Sequence, residues 1–126
     1  MYRGRYPPNP RFRYSRRYLS GGSTIIPANV RFPSRSDRVT IYGRPNCPYT
    51  TNAVSIAQQK MSPVTFYDIT GKESTARAQL ATKFPEVAVH MTVPLVFVND
   101  EDGIRFIGGN DSFVLYLRQR DQPPKR

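Results

Sequence analysis

From Arg38 onward, the sequence alternates short strand patterns with helical ones, and this order restricts the folds open to the chain. Val39 and Ile41 alternate with polar neighbours, which predicts a strand that ends at Gly43. Further elements are predicted at 48–61 (helix), 64–69 (strand), 73–84 (helix), 94–100 and 104–107 (strands) and 111–120 (helix). Strands joined by a helix pair in parallel, and the last two strands form a hairpin. We therefore expect an α/β domain with a mixed four-stranded sheet flanked by three helices.

The residues before this domain differ from it in composition. Of the formal net charge of +10 over 126 residues, residues 1–38 supply nine arginines against one aspartate, a net +8. This segment holds five prolines and no lysine, and without apolar periodicity it should be disordered when alone. The run STIIPANV, residues 23–30, could still pair as an edge strand. The predicted organisation is an extended basic arm at 1–37, a domain at 38–121 and a tail at 122–126.

The arm interleaves arginine with aromatic residues, which indicates a binding role. Arginine neutralises phosphate and tyrosine stacks on bases, so the composition suits nucleic acid. Tyrosine and arginine also make good anchors between protein subunits, so an arm that binds neighbouring protein subunits suits it equally. Both partners stay open.

The stretch RPNCPYT, residues 44–50, contains Cys47, the only cysteine of the chain. Cys47 falls at the predicted start of a helix, where free N–H groups and the helix dipole lower a thiol pKa from about 8.5 toward about 3.5–7.5. A thiolate there is a nucleophile for thiol–disulfide exchange. The fourth residue of Cys-Pro-Tyr-Thr is Thr50 and not a second cysteine, so Cys47 cannot form an internal disulfide.

Three short motifs in this order resemble those of the glutaredoxins, which have the thioredoxin fold. They are RPNCPYT at 44–50, TVP at 92–94 and GGND at 108–111, and the resemblance covers residues 38–120. It implies glutathione as co-substrate and Cys47 as catalytic nucleophile. Relatives that hold a [2Fe–2S] cluster typically carry Cys-Gly-Phe-Ser, which this chain lacks, so we expect neither a cluster nor another metal.

The resemblance also implies a glutathione-binding set. Arg44 and Arg77 would face carboxylates of glutathione, Tyr49 would pack on the substrate, and the Thr50 hydroxyl would donate to the thiolate. Alternatives stay open for several of these side chains: Arg44 and Arg77 could be solvated, Tyr49 a surface residue and Asp111 an ordinary N-cap. His90 is interpreted as a loop residue, since no second ligand accompanies it. The remaining predicted contacts are the loop with a cis proline (Thr92, Val93, Pro94) and the turn before the last helix (Gly108, Gly109, Asp111, Ser112).

Two functions follow. The first is a monothiol, glutathione-dependent oxidoreductase that acts on glutathionylated proteins through Cys47. The second is a structural or assembly component of a large particle, such as a minor capsid protein of a virus, in which the arm anchors a glutaredoxin-like domain. No membrane segment and no secretory signal are expected. A single free thiol suits an intracellular, cytoplasmic setting, or a virion or other large assembly.

Overall fold

The computed structural model describes the backbone of residues 12–15 and all of residues 30–121. The elements are β1 (Phe12–Ser15), β2 (Val39–Gly43), α1 (Pro48–Lys60), β3 (Val64–Asp68), α2 (Glu73–Leu80), a 3₁₀ helix (Pro85–Val89), β4 (Leu95–Asp100), β5 (Gly103–Gly108) and α3 (Asn110–Asp121). The predicted tail at 122–126 lies outside the described residues.

The four strands predicted for the domain form one mixed sheet, and a strand from the arm extends it. The order is β1-β3-β2-β4-β5. β2 and β3 are parallel, as a crossover through α1 requires, whereas β4 is antiparallel to both β2 and β5. This is the predicted thioredoxin-like α/β fold. β1 pairs in parallel with β3, from Phe12 opposite Val64 to Ser15 opposite Tyr67.

Both faces of the sheet are covered, which explains why β2 is buried along its whole length. Ile41 points to the side of α1 and α3, where it packs with Phe66 and Phe113. Tyr42, the next residue, points to the opposite side, toward α2 and the 3₁₀ helix. The central strand therefore contributes to two apolar layers and holds the elements of the site in fixed relative positions.

The second helix is shorter than predicted, since it ends at Leu80 rather than at residue 84. Phe84 precedes Pro85 and has a non-helical backbone with φ −128° and ψ 81°, and the helical region is disfavoured for the residue before a proline. In the turn between them, the Thr82 hydroxyl donates a hydrogen bond of 2.7 Å to the Gln79 carbonyl. The chain then enters the 3₁₀ helix, an element that the sequence did not predict.

Residues 30–37 pack against the domain, although the sequence assigns them to the arm. The Val30 N–H donates to Gln79 Oε1 at 2.9 Å, and the Val30 side chain is buried. The Tyr42 hydroxyl donates to the Arg31 carbonyl, and Asn99 Nδ2 donates to the Arg35 carbonyl at 3.0 Å. The rest of STIIPANV, residues 23–29, lies outside the described residues. Within the described part of the chain, no helix is long and apolar enough to cross a membrane.

Candidate functional site

One edge of the sheet gathers every loop that carries a predicted site residue. β2, β3 and β5 all end at this edge, and β4 begins there because it runs in the opposite direction. Cys47 follows β2, the loop with Pro94 precedes β4, and Gly108 is the last residue of β5. In open α/β sheets, ligands bind at the carboxyl ends of the strands.

Cys47 is the N-cap residue of α1 and has an extended backbone. Its N–H donates to the Arg44 carbonyl at 3.0 Å, which closes the turn after β2. Its carbonyl accepts the first helical hydrogen bond, 3.0 Å from the Thr51 N–H. The thiol is free, the residue is 8% exposed, and it lines a cleft at this edge of the sheet.

The surroundings of Cys47 lower the pKa of its thiol. Burial acts in the opposite direction and would raise the pKa, but four other contributions together outweigh it. The backbone N–H and the side chain of Thr50 act first, followed by the backbone N–H of Tyr49 and the positive charge of Arg44. These groups favour the thiolate because they place donors and positive potential around the sulfur at the start of the helix.

Thr50 lies beneath the sulfur rather than in the cleft wall. Its side chain is fully buried, and its hydroxyl has no hydrogen bond of standard geometry. The group on which this hydroxyl acts is the nearby sulfur of Cys47, whose pKa it lowers. Gly43 makes room for it: a Cβ at Gly43 would lie 2.6 Å from Thr50 Oγ1. A side chain at this position would therefore force the end of β2 and the first turn of α1 to shift apart.

Arg44 lies at the cleft and is partly paired. Its guanidinium Nη1 is 3.6 Å from the carboxylate of Glu73, in the first turn of α2. Both side chains are partly exposed, so the ion pair contributes little to stability. A ligand carboxylate can therefore replace Glu73 at modest cost.

The loop before β4 faces the same cleft. The Val93–Pro94 peptide bond is cis, as the resemblance implies, and so is Ser62–Pro63 elsewhere in the chain. Val93 and Thr92 both line the cleft, and β4 begins directly after Pro94. Val93 and Cys47 thus line the same cleft.

The Gly-Gly turn lies beside this loop, since a Cβ at Gly109 would lie 3.3 Å from His90 Nε2 and 3.6 Å from the Pro94 carbonyl oxygen. Gly108 has φ +127°, and a Cβ there would lie 2.8 Å from Ser112 Oγ, so the turn needs glycine. α3 follows, with its first hydrogen bond from the Phe113 N–H to the Gly109 carbonyl at 3.0 Å. Asp111 and Ser112 are exposed in the first turn of α3 and line the cleft.

The cleft has a volume of about 1040 Å³ and brings together most of the predicted residues. Thr50 and Gly108 support it from below and do not line it. The predicted residues in its walls are Arg44, Cys47, Tyr49, Arg77, Thr92, Val93, Pro94, Gly109, Asp111 and Ser112.

Several lining residues were not predicted as part of the site, among them Glu73 and His90, which the sequence indicated only as a loop residue. The His90 ring packs edge-on against Phe106 at 5.4 Å and lies close to the Gly109 backbone. Burial, followed by the charge of Arg77, lowers the pKa of His90. His90 precedes the Thr-Val-Pro loop and Glu73 follows β3, so their places near this sheet edge are the signals that could have located them.

Arg77 contacts the loop as well as the cleft. Its Nε donates a hydrogen bond of 2.8 Å to the His90 carbonyl, and its side chain is half-buried. Arg77 therefore holds the loop between the 3₁₀ helix and β4 in place, a role that the sequence did not predict. Among residues 12–15 and 30–121, no three His, Cys, Asp or Glu residues lie together as a metal site would need.

This geometry, a lone cysteine at a helix start beside a cis-proline loop, defines a thioredoxin-fold protein with a one-thiol site. A model of the Glutaredoxin family matches residues 39–102, and the chain belongs to this family. Membership supports a function in thiol–disulfide redox chemistry. No curated protein sequence matches the chain.

Solved structures agree on the fold. A buckwheat glutaredoxin in complex with glutathione is 19% identical, with a TM-score of 0.52, over 68% of this chain and 73% of that one. A dithiolic glutaredoxin from Trypanosoma brucei brucei is 21% identical, with a TM-score of 0.51, over 68% and 82%. The holo form of a glutaredoxin from Populus tremula x tremuloides is 22% identical, with a TM-score of 0.50, over 68% and 70%.

Proposed function

We propose that the protein is a monothiol glutaredoxin that removes glutathione from mixed disulfides through Cys47. The observation that carries this proposal is the position of Cys47, which opens into the cleft with a lowered thiol pKa. It is the only cysteine of the chain, so exchange with glutathione is the route that needs no second protein thiol.

In the first step, the Cys47 thiolate attacks the glutathione sulfur of the mixed disulfide. A bond forms between Cys47 Sγ and that sulfur, the bond to the substrate sulfur breaks, and the substrate leaves with the electron pair and takes up a proton. Cys47 is then joined to glutathione. The attack is directed to the glutathione sulfur because the cleft holds the glutathione part of the mixed disulfide, whereas the rest of the substrate stays outside.

In the second step, the thiolate of another glutathione attacks the glutathione sulfur bound to Cys47. Glutathione disulfide forms, and Cys47 leaves as a thiolate. The donors from Thr50 and Tyr49 favour this departure because they stabilise the charge that returns to the sulfur. In total, one mixed disulfide and one glutathione give the substrate thiol and glutathione disulfide, and Cys47 is regenerated.

The walls of the cleft suit glutathione, an extended peptide with a carboxylate at each end. Arg44 and Arg77 supply positive charge to one carboxylate. The Val93 backbone offers a partner for the central cysteinyl residue, and the start of α3 offers free N–H groups to the other end. The buckwheat structure, solved with glutathione, supports this choice of ligand.

The test is turnover of the mixed disulfide between glutathione and 2-mercaptoethanol, with excess glutathione and glutathione reductase. We expect the wild type to turn it over and Cys47→Ser to lose at least about 1000-fold in kcat. Intact mass should show one glutathione on the wild type during turnover and none on the variant. Equal rates for wild type and Cys47→Ser would refute the proposal.

A further inference from the structure

We propose that Val89, Met91 and Tyr49 form a docking surface for apolar residues that flank the glutathionylated cysteine of a protein substrate. This inference rests on the proposed function and names its substrate class. The three residues are called the apolar rim below.

The rim is unusually exposed for large apolar side chains. Val89 is 82% exposed, Met91 68% and Tyr49 61%. Met91 and Tyr49 line the cleft that contains Cys47, and Val89 is two residues from Met91. In the described part of the chain, Leu115 is the other exposed large hydrophobic residue, and it does not line the cleft. Exposed apolar side chains grouped at one site mark an interaction surface.

The backbone beneath the rim is held by specific contacts. Val87 is fully buried, and its carbonyl accepts a hydrogen bond of 3.0 Å from the His90 N–H. The His90 carbonyl accepts one of 2.8 Å from Arg77 Nε. The exposure of Val89 and Met91 is therefore a property of a fixed segment.

The direction of the side chains follows from the conformation of His90. His90 is extended, with φ −95° and ψ 103°, so its neighbours on either side point the same way and its own ring points the other way. The ring turns inward to Phe106 and the Gly109 backbone. Val89 and Met91, on either side of this inward-facing ring, are both exposed to solvent, and Met91 lines the cleft.

The chemistry of the first step places the protein part of the substrate at the mouth of the cleft. When Cys47 attacks the glutathione sulfur, the departing sulfur belongs to a cysteine of the substrate, whose neighbours advance by about 3.3–3.6 Å per residue along an extended chain. Residues one to three positions away can thus reach the rim. Glutathione is polar and charged and has no apolar group to match it, whereas apolar side chains of a protein do.

The test compares the wild type with Val89→Ser, which changes the rim residue that does not line the cleft, on three substrates. The substrates are a glutathionylated peptide with leucine on both sides of its cysteine, the same peptide with serine there, and the small disulfide of glutathione and 2-mercaptoethanol. We expect the wild type to prefer the leucine peptide, and the variant to lose about tenfold or more in kcat/KM for that substrate alone. Leu115→Ser, an exposed apolar residue outside the cleft, is the matched control and should change none of the rates.

The outcomes separate this inference from the function on which it rests. Turnover of the small disulfide without preference for the leucine peptide overturns the inference and leaves the function standing. Loss on all three substrates overturns it too, because the rim would then act on the reaction in general. A gain on the leucine peptide would mean that another segment or a second copy covers the rim, which also overturns it. Absence of any turnover by the wild type refutes the proposed function, and the inference with it.

Discussion

Thr50 occupies the position at which a second cysteine would make a dithiol site, and its side chain lowers the pKa of the Cys47 thiol. Its hydroxyl is buried, and its backbone N–H and side chain both lower the pKa of the Cys47 thiol. Thr50 thus prevents an internal disulfide and at the same time stabilises the Cys47 thiolate, on which a glutathione route depends.

We predict that Thr50→Val raises the pKa of Cys47, because valine keeps the shape of threonine but lacks the hydroxyl donor. The thiolate is the reactive form, so alkylation by iodoacetamide should slow severalfold at neutral pH, and its pH profile should move to higher pH. The measurement is the rate of alkylation from pH 4 to 10, followed by mass spectrometry.

Thr51→Val is the matched control for this prediction. The Thr51 hydroxyl donates to the carbonyls of Cys47 and Pro45, at 3.1 and 3.4 Å, and not to the sulfur. Its loss should leave the alkylation profile in place. Identical profiles for Thr50→Val and the wild type would contradict the role given to the hydroxyl.

At the scale of the elements, the junction between β2 and α1 depends on the close fit of Gly43 and Thr50. We predict that Gly43→Ala lowers the free energy of unfolding by about 1–3 kcal/mol, because the new Cβ would lie 2.6–2.8 Å from the Thr50 side chain. Chemical denaturation under reducing conditions measures the loss.

The companion variants are Thr50→Ala and the double variant Gly43→Ala/Thr50→Ala. Alanine at position 50 removes the two closest atoms, Oγ1 and Cγ2, so Gly43→Ala should cost less in that background. A double-mutant cycle isolates this coupling. Additive effects would show that the clash is not the source of the loss.

The strands and helices of the domain could be predicted because their signals are local. The alternation at Val39 and Ile41 and the helix start at Pro48 need no knowledge of the rest of the chain. β1 could not be predicted in the same way, since its pairing with β3 joins segments about 50 residues apart. The inward position of His90 likewise depends on Phe106 and Arg77, which the fold alone brings to it.

At the scale of the molecule, residues 30–37 contact both α2 and the sheet of the domain. Val30 reaches α2 through Gln79, and Arg35 reaches β4 through Asn99. Phe32 packs against the apolar layer that contains Tyr42, with the Lys83 ammonium 4.7 Å from the centre of its ring. The structural unit thus includes residues upstream of the first strand of the domain.

We predict that removal of residues 1–37 lowers the free energy of unfolding by roughly 2–4 kcal/mol more than removal of residues 1–29. The difference is the buried Val30 side chain and the hydrogen bonds to Gln79, Tyr42 and Asn99. Urea denaturation of the two truncated proteins measures it. Equal stability would contradict the role of residues 30–37 and would favour a boundary at Arg38.

The pairing of β1 with β3 has a thermodynamic consequence for anything that binds the arm. A partner that holds residues 12–15 in a different conformation must first separate four residue pairs from the edge of the sheet. The apparent affinity of the partner for the arm is then reduced by the free energy of the β1–β3 pairing. By reciprocity, binding of the partner leaves the outer edge of β3 open. Capture of the arm and exposure of a β-strand edge are in this way linked equilibria, and an edge so exposed is itself able to accept a further strand.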